Sequence, residues 1–93
     1  MEKRVMFTAR GNLCGDRVRL GRAMHKPPLN QENLAIKMNE NGITEMTKTI
    51  ISKIERGERH VIDAELRNLA IALGVSMDWL VGDTDDPKRY DAE

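Results

Sequence analysis

The pattern of apolar and polar positions along the chain predicts a protein built from short helices. Apolar residues recur at spacings of three and four, the period of a helix with one buried face, and polar, glycine and proline residues interrupt that period. We therefore predict an all-α fold with helices at 13–25, 31–39, 47–56, 64–73 and 77–81. Candidate N-caps precede or begin four of them (Asn30, Thr47, Asp63 and Ser76), and glycines suited to helix C-termini follow (Gly42, Gly57, Gly74 and Gly82).

The third predicted helix has two faces of different chemistry. Ile51 and Ile54 lie three residues apart and are expected to face a core. The other side, which we call the recognition face, consists of Lys48, Thr49, Ser52 and Lys53. Hydroxyls and ammonium groups suit hydrogen bonding to base edges and phosphates of DNA. The alternative is an ordinary solvated face, which is where most lysines are found.

The two ends of the chain lack helical periodicity. Residues 1–12 are predicted to form a flexible N-terminal arm. Residues 83–93 are charged, contain a proline and offer nothing to a core, so we predict a disordered acidic C-terminal tail. The folded domain is therefore expected to occupy residues 13–82.

Composition narrows the class of protein. The 93 residues are expected to form one domain, whose core is aliphatic because the chain has one residue each of Trp, Tyr and Phe. Cys14 is the only cysteine, so an internal disulfide is excluded, which fits a reducing cytosol. One cysteine and two histidines do not predict a zinc site. No apolar run is long enough to span a membrane, and we expect a cytoplasmic, nucleoid-associated protein.

The charges are unevenly distributed, although the formal net charge is zero. Residues 1–62 contain twelve Lys or Arg and seven Asp or Glu, whereas residues 63–93 contain three and eight. The basic part includes the recognition face. This asymmetry favours a nucleic-acid partner, although a mixed surface with an acidic tail would give the same count.

The sequence contains no pattern typical of an enzyme. It lacks a glycine-rich phosphate loop, a cluster of metal ligands, and a nucleophile with a suitable base and orienting acid. We therefore expect neither catalysis nor a cofactor.

Four motifs, in this order, resemble the Cro and phage-repressor (XRE-type) helix-turn-helix family. They are GDRVR at 15–19 with Arg22, QENLA at 31–35, ISKIERG at 51–57, and LAIALGVS at 69–76 followed by DWL at 78–80. The resemblance covers 68 of the 93 residues, from Gly15 to Gly82. It implies a compact five-helix, repressor-like DNA-binding domain whose recognition helix is 47–56.

The resemblance also implies roles for particular residues. Gln31 would anchor the protein to a phosphate and reach the first bases. Thr47 would meet a phosphate near the positive end of the recognition helix, and Ile50 would touch a thymine methyl group. Arg22 and Glu55 match a pair that forms a partly buried salt bridge in this family. The alternatives are a solvated Gln31 and two unrelated surface charges.

The last predicted helix is more apolar than a small domain requires. In the family this end of the fold commonly forms a two-fold dimer contact, for which the candidates here are Met77, Trp79, Leu80 and Val81. A homodimer would bind a palindromic operator. The alternative, which is compatible with the first, is that Trp79 completes the core of the monomer.

Two features depart from the family pattern. The distance from Gln31 to Glu55 is six residues longer than usual, and the excess lies around 39–46, so we expect an enlarged turn between the second and third helices. Gly21 lies inside the first helix, where an apolar residue or alanine is more usual. Glycine there costs about 1 kcal/mol relative to alanine.

The resemblance implies a sequence-specific DNA-binding transcriptional regulator, a repressor in our interpretation, which acts by occupying double-stranded operator DNA. One alternative is an antitoxin-type regulator that binds a partner protein through its arm or acidic tail. Another is a protein-interaction module without affinity for DNA, because a fold does not dictate a function.

Overall fold

A computed structural model describes residues 11–43 and 45–89, which form five helices. The helices are α1 (Gly15–Met24), α2 (Gln31–Glu40), α3 (Lys48–Glu55), α4 (Asp63–Leu73) and α5 (Met77–Leu80). The predicted all-α class is confirmed, and no strand occurs in the described part of the chain. Each helix ends within two residues of its predicted limit.

Side-chain caps determine where three of the helices begin. The side chains of Asn30, Thr47 and Ser76 accept hydrogen bonds from the backbone N–H groups three residues later. The start of α4 differs from the prediction, because Asp63 is its first helical residue rather than its cap. The carboxylate of Glu65 instead accepts the N–H of Ile62 at 3.2 Å, so the cap comes from within the helix.

The core lies between α2, α3 and α4, and α1 covers it by packing against α3, α4 and α5. Its fully buried side chains are aliphatic or contain sulfur, as the composition predicts; the largest are Leu34, Met38, Ile51, Ile54, Leu69 and Leu80. Burying each such side chain contributes about 1.5–3 kcal/mol. Ile51 and Ile54 fix the orientation of α3, and the recognition face is therefore turned outwards.

The turn between α2 and α3 is described at residues 41–43 and 45–47 and is longer than the roughly three or four residues of a common helix-turn-helix turn, as the sequence predicts. The side-chain amide of Asn39 closes it: Nδ2 donates to the carbonyl of Met46 at 3.0 Å, and Oδ1 accepts the N–H of Met46 at 2.9 Å. Met46 is buried and Ile43 packs against the core. Glu45 has a φ of +68°, a left-handed conformation that is uncommon for a residue with a side chain. The long turn is therefore anchored at its end and does not separate α3 from the core.

Residues 11 and 12 form hydrogen bonds with the ends of α1 and α3. The N–H of Gly11 donates to the carbonyl of Gly57 at 2.6 Å. Asn12 accepts the N–H groups of Cys14 and Gly15, and its amide donates to the carbonyls of Ile54 and Arg59. Residues 11 and 12 therefore belong to the fold and fasten α1 to the end of α3. The rest of the predicted arm, 1–10, lies outside the described residues.

The first part of the predicted disordered tail lies against the domain. The N–H of Ser76 donates to the carbonyl of Pro87 at 3.0 Å. Arg17 donates to the carbonyl of Thr84 at 3.2 Å, and Arg89 donates to the carbonyl of Val75 at 2.9 Å. These hydrogen bonds attach residues 83–89 to the domain, where Pro87 also lines a hollow together with Met24 and Leu73. Residues 90–93 of the predicted tail lie outside the described residues.

Candidate nucleic-acid interface

The recognition face lies on the outer side of α3. Lys48, Thr49 and Lys53 are exposed and Ser52 is half-buried. Ile50, which the sequence placed at the boundary, is half-buried and packs against the core. The structure thus brings the predicted DNA-contacting residues of α3 to one accessible surface, and the isoleucines that hold the helix lie opposite.

The N-terminus of α3 offers groups that favour an anion. Thr47 caps the helix by accepting the N–H of Ile50 at 3.2 Å, so its hydroxyl hydrogen can be donated outwards. Lys48 follows and adds a positive charge where the helix dipole is also positive. This end of α3 is chemically suited to a phosphate of the DNA backbone.

A buried carboxylate joins α3 to α1 and α2. Glu55 is 3% exposed and accepts two hydrogen bonds from Arg22: Nε to Oε2 at 2.6 Å and Nη2 to Oε1 at 2.9 Å. Arg22 also donates to the carbonyl of Leu29 at 3.1 Å. Arg19, which the sequence did not single out for this role, lies with its Nε 3.7 Å from Glu55 Oε1 and is largely exposed. This bidentate ion pair fixes α3 relative to α1.

Gln31 belongs to the same arrangement. Its Nε2 donates to Glu55 Oε1 at 3.1 Å, so the side chain is oriented towards α3. It lines a shallow hollow together with Arg22, Asn30, Glu32 and Lys48. Glu55 therefore places Gln31 beside Lys48 at the point where the N-termini of α2 and α3 approach each other.

Arg56 is a residue of this surface that the sequence analysis missed. It is exposed, directly follows α3, and donates from Nη1 to the hydroxyl of Ser52. The signal that could have found it is its spacing, because Arg56 lies seven residues after Thr49 and four after Ser52. In the sequence, Arg56 stands out only as part of the ISKIERG motif at the end of the helix.

Comparison with known proteins identifies the family. The model of a family described as helix-turn-helix matches residues 31–80, which is more than half of the chain. The chain belongs to the helix-turn-helix family. This confirms the resemblance drawn from the sequence motifs.

A solved structure of similar fold is the crystal structure of the P22 c2 repressor protein in complex with synthetic operator 9T in the presence of Tl+. The two chains share 27% sequence identity with a TM-score of 0.62, and the match covers 78% of this chain and 98% of that one. No curated protein sequence matches the chain significantly.

Arg59 pairs with Glu65 in the first turn of α4. Its guanidinium donates to both carboxylate oxygens of Glu65, at 2.9 and 3.1 Å. This hydrogen bonding lowers the pKa of Glu65, with help from the N–H of Ile62 and against the opposing effect of burial. Because the folded-state pKa is lowered, the pair stabilises the fold at neutral pH, and this contribution is lost as the pH falls through that lowered value.

The four candidates for a dimer contact differ in accessibility. Trp79 and Leu80 are buried in the core of the single chain, at 3% and 0% exposure. Arg17 covers the ring of Trp79, with its guanidinium carbon 4.7 Å from the ring centroid. Met77 is 37% exposed and Val81 is half-buried, so these two side chains remain accessible to a partner.

Within residues 11–43 and 45–89, no helix has the length and apolar character needed to cross a membrane. The same residues contain no group of three or more His, Cys, Asp or Glu side chains arranged to hold a metal ion.

Proposed function

We propose that this helix-turn-helix protein is a sequence-specific transcriptional regulator that binds operator DNA with α3 in the major groove and acts as a repressor. Its family and its fold are those of DNA-binding regulators, and the similar P22 c2 repressor was crystallised with an operator. The observation that carries the proposal is the exposed recognition face of α3, held in place by the ion pair between Arg22 and Glu55.

In this mechanism, phosphate contacts position the protein and base contacts specify the site. Thr47, Lys48 and Gln31 lie where the N-termini of α2 and α3 converge, so they are the proposed phosphate contacts. Thr49, Ser52 and Lys53 project from the outer side of α3 and are the proposed contacts to base edges, with Ile50 at the margin. A bound protein would repress transcription by occupying its site.

The proposal includes a homodimer on palindromic DNA. The two-fold symmetry of a dimer would place two copies of α3 in successive major grooves, about one helical turn apart. The accessible part of the proposed contact consists of Met77 and Val81. Occupancy of two half-sites would raise affinity without any change in the contacts of each α3.

The first test is selection of binding sites from random duplexes, followed by titration of the selected site and a scrambled duplex at several salt concentrations. We expect the selected site to bind about a thousandfold more tightly than the scrambled one, and binding to weaken as salt rises. Equal affinity for both duplexes would reduce the interaction to non-specific charge attraction, and an absence of binding would contradict the function.

Substitutions on α3 test which residues make the contacts. Ser52→Ala should weaken binding of the selected site by about 1–3 kcal/mol, as expected for a base contact, and Lys48→Ala should weaken binding of the selected and the scrambled duplex alike, as expected for a phosphate contact. Neither substitution should change the unfolding midpoint. Arg67→Ala removes an exposed positive charge from α4 and serves as the matched control for Lys48→Ala. Unchanged affinity in both α3 variants would show that another surface binds DNA.

A further inference from the structure

The accessible side of α3 extends one turn beyond the recognition face. Thr49, Ser52, Lys53 and Arg56 have the spacing i, i+3, i+4 and i+7, which places them on one side of a helix. The side chain of Arg56 is 49% exposed. Its guanidinium therefore lies beside the residues proposed to contact DNA, and the arginine side chain is long enough to reach the same duplex.

Glu58 holds this guanidinium with both carboxylate oxygens. Arg56 Nε donates to Oε2 at 3.0 Å and Nη2 donates to Oε1 at 3.1 Å, while Nη1 donates to the hydroxyl of Ser52. These hydrogen bonds lower the pKa of Glu58 and raise that of Arg56. Arginine forms the same bidentate hydrogen bonds with a phosphate or with the O6 and N7 atoms of guanine.

We propose that Arg56 is a further DNA-binding residue and that Glu58 limits the affinity of the protein for DNA by competing for the same guanidinium donors. The inference rests on the proposed function, because it requires that α3 meets a duplex. In this proposal Glu58 is an intramolecular competitor of DNA for the Arg56 guanidinium. It lies about one turn from the proposed base contacts and lowers the affinity of the recognition surface for DNA.

The exchange of partners is feasible because the pair is exposed. Side-chain exposure is 49% for Arg56 and 54% for Glu58, so water and salt screen their attraction. A duplex offers a dense line of phosphates, and these repel Glu58 while attracting Arg56. In the complex, Arg56 would leave Glu58 for a DNA acceptor, and the carboxylate would turn towards solvent.

Ser52 takes part in the same exchange. Its hydroxyl oxygen accepts from Arg56, so the orientation of this proposed base contact depends on where Arg56 points. An Arg56 bound to DNA can keep the hydrogen bond with Ser52 while it releases Glu58. The two side chains would then contact DNA as one unit.

The chain offers a matched control for Glu58. Asp85 is a fully exposed carboxylate that pairs with Arg17 at 3.0 Å, and it lies on the C-terminal segment, whereas Glu58 lies just after the end of α3. Glu58→Gln and Asp85→Asn both convert an exposed, arginine-paired carboxylate into an amide and change the net charge equally. Any difference between them therefore reports the position of the carboxylate.

The experiment measures affinity for the selected duplex at low salt in the full chain. We expect Glu58→Gln to tighten binding by about three- to tenfold and Asp85→Asn to change it by about twofold or less. Arg56→Ala should weaken binding, and adding Glu58→Gln to it should give much less than the gain seen with Arg56 present. If Arg56→Ala loses affinity for both the selected and the scrambled duplex, Arg56 contacts a phosphate. If it loses affinity for the selected duplex alone, Arg56 contacts a base edge. Either result supports the proposal.

Two outcomes would overturn it. If the Glu58→Gln variant binds the selected duplex no more tightly than the Asp85→Asn variant, Glu58 has no specific effect on DNA affinity. An equal gain from Glu58→Gln with and without Arg56 would make Glu58 a simple repulsive charge. Failure of the wild-type protein to bind any duplex would instead reject the proposed function itself. Titration of the Glu58 carboxyl by NMR, in wild type and in Arg56→Ala, independently checks the pair, because its pKa should rise when Arg56 is removed.

Discussion

Gly21 lies where two large side chains pack directly against α1. A Cβ atom at this position would be 3.1 Å from Leu73 Cδ1 and 3.5 Å from Trp79 Cζ3. This close approach explains why glycine occupies the middle of a helix despite a cost of about 1 kcal/mol. The sequence indicated that Gly21 was unusual. Its contacts could not be predicted, because the neighbouring side chains lie on α4 and α5, far away along the chain.

The contact predicts how Gly21 responds to larger side chains. Gly21→Ala should remain within about 1 kcal/mol of wild type, since the gain in helix propensity is offset by crowding against Leu73. Gly21→Leu should destabilise the fold by about 1–3 kcal/mol, because the larger side chain must displace the buried side chains of Leu73 and Trp79. Urea unfolding measures both values. Ala23→Leu, at an exposed position of the same helix, is the control, and an equal effect at both positions would refute the explanation.

At the scale of elements, contacts between residues a few positions apart could be predicted from the sequence, whereas contacts between more distant residues could not. Asn30, Thr47 and Ser76 could be identified as caps because a cap bonds to an N–H only three residues away. The enlarged turn could be predicted from the number of residues between Gln31 and Glu55. The hydrogen bonds that close the turn could not be predicted, because they join the side-chain amide of Asn39 to the backbone of Met46. Outside a helix terminus, no regular spacing in the sequence identifies which backbone groups a side-chain amide will bond.

The candidate site shows the same division. The spacing within α3 predicted the recognition face, since a helix brings i, i+3 and i+4 together whatever surrounds it. The bond between Gln31 and Glu55 could not be predicted in this way, because it depends on how α2 packs against α3. Family resemblance suggested the pairing of Arg22 with Glu55, and no periodicity would have done so.

The ion pair of Arg22 and Glu55 joins two elements and should therefore affect both stability and DNA binding. Glu55→Gln would leave Arg22, which is 17% exposed, without its compensating charge, at a cost of about 3 kcal/mol. The same substitution three residues later, Glu58→Gln, should leave the urea midpoint unchanged because Glu58 is exposed. We also expect Glu55→Gln to weaken binding of the selected site, since an amide has one acceptor oxygen where the carboxylate has two, and Arg22 and Gln31 would then compete for it. Equal stability of the two variants would show that the buried pair contributes little.

At the scale of the whole molecule, the acidic C-terminal part folds back more than its composition suggests. Arg17 donates to the carbonyl of Trp79 at 3.0 Å and to that of Thr84 at 3.2 Å, and it pairs with Asp85. The composition of 83–93 predicts a disordered acidic tail, and the described part of it, 83–89, is largely polar and exposed. Their attachment could not be foreseen because Arg17 is more than sixty residues away and its main acceptors are backbone carbonyls.

Assembly is the remaining question at this scale. Burial of Trp79 and Leu80 in the core leaves Met77 and Val81 as the accessible apolar part of the proposed dimer contact. Two such side chains offer far less area than the roughly 800 Å² per partner of a stable interface. We therefore expect a monomer in dilute solution that pairs on DNA, where adjacent half-sites supply a high effective concentration.

The paired variant Met77→Gln with Val81→Gln tests this assembly without altering charge. Because both side chains are accessible, the unfolding midpoint should change little. Affinity for one isolated half-site should be unchanged, whereas affinity for the palindrome should fall about tenfold or more as the contact between the two copies is lost. Ile71→Gln is the control, since Ile71 lies on α4 and is 38% exposed, close to the 37% of Met77. Titration of both duplexes measures the effect, and a palindrome bound as tightly by the paired variant as by wild type would place the dimer contact on another surface.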